Sequence, residues 1–97
     1  MIYNYYSSEL DCNRVTIVGK FEGKFLKIAA ARCGLNDNFE KKEGRKIATK
    51  RLGENNIIAT IKTKKQNGKV FNMVANQISI LISNRIIDVY LNKDTED

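Results

Sequence analysis

Histidine, proline and tryptophan do not occur in this 97-residue chain, and cysteine occurs only twice. Without histidine, Ser-His-Asp and Cys-His nucleophilic chemistry is excluded, as are histidine-ligated metal centres and the commonest acid–base group near neutral pH. Cys12 and Cys33 form no C-x-x-C pair. Two thiolates alone cannot complete the usual four-ligand structural zinc site, so they read as buried, reduced thiols, and neither metal nor cofactor is expected. No apolar run approaches the roughly 18 residues of a membrane-crossing helix. The opening MIYNYYSSEL lacks the basic and apolar segments of a signal peptide. A soluble, cytoplasmic protein that contacts no membrane is therefore expected. The six glycines never fall into G-x-G-x-x-G or P-loop spacing, which removes the nucleotide-hydrolase loops. Acid pairs such as Glu9 with Asp11 or Glu22 with Glu40 are what any surface offers, and a non-enzymatic role is expected.

Positive charge is in excess. Seventeen Lys and Arg stand against eleven Asp and Glu, a net charge of +6, and the last four residues, Asp94-Thr95-Glu96-Asp97, carry three of the acids. Ahead of that acidic tail, 17 basic residues face 8 acidic ones. A surplus of this size bears on partners rather than on fold, and it favours anionic ones.

Residues 14–21, RVTIVGKF, put Val15, Ile17 and Phe21 on one face and Arg14, Thr16 and Lys20 on the other, the period-two pattern of a half-buried strand. Glu22-Gly23 reads as a turn. Leu26, Ile28 and Ala30 then alternate with Phe25, Lys27 and Ala29, which predicts a hairpin over 14–33. IYNYYS fits a further strand with Tyr3 and Tyr5 on one side. Asp37-x-x-Glu40 has the spacing of a capping box and predicts a helix over about 38–52, with Phe39, Ile47, Ala48 and Leu52 inward and Gly53 as its C-cap. IIATIKTK alternates as a strand, and Asn67-Gly68 is a favoured hairpin pair, so a partner strand is expected over 69–74.

Residues 70–92 admit two readings. As strands, Ile78, Ile80 and Ile82 alternate with polar neighbours, and Ile87, Val89 and Leu91 follow a Ser83-Asn84-Arg85 turn. As a helix, Val70, Val74, Ile78, Leu81, Ile82 and Val89 form one stripe, and Met73, Ile80, Ile87 and Leu91 a second. The β-branched content favours strands. Either way the chain reads as a single α+β domain over 1–97. Its expected core is an antiparallel sheet of hairpins packed on one basic helix at about 38–52, with 70–92 adding strands or a second helix.

Lys41, Lys42, Arg45, Lys46, Lys50 and Arg51 crowd the predicted helix, with Glu40 and Glu43 its only acids. Like charges at this spacing repel, and a phosphate backbone relieves the repulsion while releasing counterions. A solvated lysine-rich face is the alternative. Gly44 costs about 1 kcal/mol relative to Ala inside a helix, which points to close approach by a ligand or by the sheet. Lys62, Lys64, Lys65 and Lys69 surround Asn67-Gly68 as a second basic cluster. Tyr3, Tyr5 or Tyr6 would either stack bases beside it or lie partly in the core. No RNP, KH, zinc-finger or heptad signature accompanies them, so base-specific readout is not expected.

Residues 27–52, KIAAARCGLNDNFEKKEGRKIATKRL, hold a strand ending in Ala31-Arg32-Cys33, a turn with Asp37-Asn38-Phe39, and a helix containing Gly44-Arg45-Lys46-Ile47-Ala48. This segment resembles a pattern in small bacteriophage accessory proteins, most of which have no assigned activity. The resemblance brings no catalytic residues. What it implies is setting, a pool that includes anti-CRISPR and other anti-defence proteins. The expected function is non-enzymatic inhibition of a host nucleic-acid-handling defence system, through a basic surface that meets guide or target nucleic acid or the effector ribonucleoprotein. Three alternatives stay open: a small DNA- or RNA-binding regulator using phosphate contacts, a dimerising protein pairing Ile87, Val89 and Leu91 with a copy, and a sequestrant of an anionic nucleotide.

Overall fold

A computed structural model describes residues 3–10, 13–34, 41–84 and 86–87. Strands β1 (Asn4–Leu10), β2 (Asn13–Glu22) and β3 (Phe25–Gly34) come first; helix α1 (Lys41–Gly53), strand β4 (Ala59–Lys62) and helix α2 (Gly68–Ser83) follow. The strands build one antiparallel sheet in the order β1-β2-β3-β4, and the architecture is α+β. The radius of gyration is 12.6 Å, close to the value of about 12.5 Å for one compact domain of this length.

The predicted hairpin forms. Glu22 lies opposite Phe25, and Gly23 sits at φ 63°, a left-handed position that suits a residue without Cβ. The register sends Val15, Ile17, Leu26, Ile28 and Ala30 to one face and Thr16, Val18, Ala29, Ala31 and Cys33 to the other. Both faces are buried, where the alternation predicts a half-buried hairpin. Alanines and a valine on the second face are small enough for a helix to lie directly on them, so the sheet is covered by α1 on one side and α2 on the other.

On the α2 side, Phe71, Ala75, Ile78 and Ile82 recur at helical spacing and pack on Val15, Ile17, Leu26, Ile28 and Ala30. A Cβ at Gly19 would stand 2.6 Å from Phe71 Cε1, so the missing side chain is the space the ring occupies. Ser79 is buried but satisfied, its Oγ donating to the Asn76 carbonyl at 2.7 Å. On the α1 side, Ala48 and Leu52 pack on Val18, Ala29, Ala31 and Cys33, flanked by Ile47 and Tyr3. Gly44 meets the sheet: a Cβ there would lie 2.7 Å from Thr16 Oγ1. Packing rather than a ligand therefore accounts for this glycine.

Several expectations are corrected. The described helix runs over 41–53, and the Asp37–Glu40 box and Phe39 lie outside the described residues. Gly53 stays helical; the left-handed residue is Asn55, at φ 61°. Asn55 N donates to Leu52 O and Asn56 N to Arg51 O, the paired bonds of a Schellman end with asparagine in place of glycine. Asn67-Gly68 makes no hairpin turn, and no strand forms over 69–74. Asn67 is instead the N-cap of α2, its Oδ1 accepting from Val70 N at 2.9 Å. Residues 68–83 are thus the second helix rather than strands, because Phe71, Ala75, Ile78 and Ile82 find the sheet's apolar face, a long-range contact that outweighs β-branched propensity. The buried stripe is turned from the expected one: Phe71 and Ala75 are buried, Val70 and Val74 half-buried, and Leu81, Met73 and Ile80 exposed. Ile87 packs against the core, while Arg85, Val89, Leu91, Cys12 and the tail 94–97 lie outside the described residues.

Candidate nucleic-acid interface

Because Gly44, Ala48 and Leu52 face the sheet, with Ile47 and Arg51 beside them, the remaining basic residues of α1 face outward. Lys42, Arg45, Lys46 and Lys50 are exposed, with Glu43 the one acid among them. Lys42, Lys46 and Lys50 repeat every four residues along one ridge, so each neighbouring pair repels by roughly 0.2–0.5 kcal/mol in the absence of an anion. Arg45 lies 5.2 Å over the Tyr5 ring, and the Tyr5 hydroxyl shares a 3.2 Å hydrogen bond with Thr49 Oγ1. Lys41 opens α1, and its side chain lies outside the described residues.

Arg51 does not belong to this face. It is buried, and its Nη1 donates to the Ala30 carbonyl at 2.7 Å. Pairing between β3 and β4 covers only Phe25 to Ile28, which leaves Ala30, the next outward-facing carbonyl on that edge, without a strand donor. The guanidinium supplies the missing bond, and its position in the last turn of α1 matches the negative end of the helix dipole.

The second cluster gathers at the opposite end of the sheet from the β1–β2 connection. Lys62 ends β4 opposite Phe25; Lys64 and Lys65 follow in the loop, and Lys69 begins α2. All four are exposed. Thr63 N donates to the Lys24 carbonyl at 2.9 Å, and Gln66 Nε2 donates to the Gly23 carbonyl. These bonds tie the loop to the hairpin turn and bring in Lys24, which sequence reasoning missed. Lys24, Lys62, Thr63 and Lys64 line a cavity of about 520 Å³. Lys62 points to the same face of the sheet as α1, because it lies opposite Phe25, which alternates in step with Ala29 and Ala31. Lys69 starts the helix on the other face and is not brought to this side.

Lys20 and Lys27, also missed, lie directly opposite each other on the α1 side. Glu22 bridges them, at 3.3 Å to Lys20 and 3.1 Å to Lys27. Its carboxyl is held below the usual carboxylate range, first by the hydrogen bond from Lys27 and then by that from Lys20. A partner role for Glu22 in a carboxylate dyad has no support in this setting. The tyrosines are fastened into the fold: Tyr6 donates to Asn76 Oδ1 at 2.9 Å, Tyr3 packs under α1, and Tyr5 carries Arg45. Cys33 is buried on the α1 side of the sheet. Among the described residues, no group of three or more Cys, Asp or Glu is placed to hold a metal, and no helix is long and apolar enough to cross a membrane.

Neither protein-family models, nor curated proteins, nor solved structures match the chain.

Proposed function

We propose that this protein is a non-enzymatic binder of nucleic acid. In the setting implied by the resemblance of residues 27–52, it acts in the cytoplasm as a phage-type, anti-CRISPR-like inhibitor, engaging the guide or target strand of a host effector ribonucleoprotein. One observation carries this reading. Exposed Lys42, Arg45, Lys46 and Lys50 of α1 and Lys62 of β4 lie on one side of the sheet, Lys24 and Lys64 border the same cavity as Lys62 at the sheet's end, and none of these enters a described ion pair. Unpaired cations crowded on one side are released from mutual repulsion by phosphates, with gain of counterion entropy. The outer face of α2, where Met73, Ile80 and Leu81 are exposed, favours a ribonucleoprotein over bare nucleic acid as partner, since an apolar row gains nothing from phosphate.

The test has two arms. About six phosphate contacts to duplex DNA give a slope of log K against log salt near roughly −5, and Lys42→Ala/Arg45→Ala/Lys46→Ala should flatten it by about 2–3 units. Capture on tagged protein from a lysate that contains a CRISPR effector, with and without nuclease, then separates the readings. Retention of the effector points to inhibition; nucleic acid alone, lost on nuclease treatment, points to a direct DNA- or RNA-binding regulator. Full binding by a folded triple variant would remove α1 from the interface.

A further inference from the structure

Beyond α1, the same face of the sheet carries two rows of side chains set by the register. Lys20, Lys27 and Thr60 form one row across β2, β3 and β4; Glu22, Phe25 and Lys62 form the next. Phe25 is 45% exposed. Residues directly opposite across antiparallel strands have Cβ atoms about 4.5–5.5 Å apart, so Glu22 and Lys62 stand on either side of its ring. Glu22 is paired with both Lys20 and Lys27, so the charge on that side of the ring is net positive, and Lys62 stands on the other side. The cavity formed by Lys24, Lys62, Thr63 and Lys64 adjoins it. The bonds from Thr63 N to Lys24 O and from Gln66 to Gly23 O hold turn and loop together, so the backbone that carries these lysines is set before any ligand arrives.

We propose that this corner holds one nucleotide unit of a single strand of nucleic acid, an unpaired base stacking on Phe25 and the adjoining phosphate sitting among Lys24, Lys62 and Lys64. The inference rests on the nucleic-acid reading above and adds the form of the ligand. A duplex keeps its bases stacked inside and offers no free face to a ring on a sheet, whereas an unpaired base does. The cations of α1 lie on the same side and extend the positive track to neighbouring phosphates, which a free mononucleotide would not use.

The test measures binding of fluorescent oligouridylate, oligothymidylate and a blunt DNA duplex to the whole chain. Phe25→Ala should weaken both single strands about tenfold or more, and the duplex by less than about twofold. Phe25→Leu, which keeps apolar bulk and loses the ring face, should fall with Phe25→Ala. Phe25→Trp should keep binding, and as the chain's only tryptophan its emission should be quenched by either strand. Single-strand affinity within about twofold of wild type in a folded Phe25→Ala protein, with the α1 triple variant still weakened, would overturn the corner and leave the nucleic-acid reading standing. No binding of any probe by the wild type would overturn both. Competition by uridine monophosphate as effective as by the strand would overturn the strand as ligand.

Discussion

The two faces of this sheet carry unlike cores. Under α2 most of the buried side chains are large, with Phe71, Ile17, Leu26, Ile28, Ile78 and Ile82 beside Val15 and two alanines. Under α1 they are mostly small: Ala29, Ala31, Ala48, Cys33 and Val18, with Leu52 the largest. Burying a large apolar side chain contributes about 1.5–3 kcal/mol, and alanine far less, so the greater part of the apolar stabilisation lies on the α2 side. The outer faces reverse the contrast. α1 presents Lys42, Arg45, Lys46 and Lys50, while α2 has no charged residue after Lys69 and exposes Met73, Ile80 and Leu81. A helix held close by small residues, a glycine contact and the Arg51 hydrogen bond can bear crowded like charges, because the fold's stability is built mainly on the other side.

The largest test of this contrast is Phe71→Ala, which should cost about 3–5 kcal/mol in urea unfolding, against about 2–3 kcal/mol for Leu52→Ala. A greater loss at Leu52 would break the comparison. Next is Gly44→Ala. Alanine gains about 1 kcal/mol of helix propensity, but its Cβ meets buried Thr16 Oγ1 at 2.7 Å, and overpacking of this kind costs about 1–3 kcal/mol. A net loss of about 1 kcal/mol is expected, relieved in a double-mutant cycle by Thr16→Ala; additive effects would show that Gly44 does not set the distance of α1 from the sheet. Smaller still is the stability change of the α1 triple alanine variant. Lost repulsion and better propensity oppose the lost Arg45–Tyr5 contact, so thermal unfolding at low salt should move by less than about 1 kcal/mol. The smallest effect belongs to Glu22. Its folded pKa is lowered from 4.5 by Lys27 and Lys20, so its contribution is present above pH 4.5 and lost as pH falls through the folded value. A carboxyl NMR titration should place Glu22 below the usual glutamate value of 4.5, and Lys27→Met should raise it.

How much of the site could be read in the chain differs by residue. The alternation and Gly23 define the hairpin register, and that register alone puts Lys20, Lys27 and Phe25 on one face, a signal that reading each strand separately did not join. Lys62 entered that corner only when β4 paired with Phe25. The outward ridge of Lys42, Lys46 and Lys50 follows from spacing. Arg51 is indistinguishable from them as a charge in the sequence, and only the short β4, by leaving the Ala30 carbonyl without a partner, turns it inward.

Local patterns therefore determined the β2–β3 hairpin, the presence of strands on either side of it, and the basic helix with its charge, because period and charge are properties of neighbouring residues. Only the tertiary structure decided that Asn67-Gly68 opens a helix rather than a turn, that both faces of the hairpin are covered, and which cations stay on the surface. Each of those outcomes depends on contacts between residues far apart in the chain, such as Phe71 with Gly19 and Arg51 with Ala30, whose energies exceed the local preferences they override.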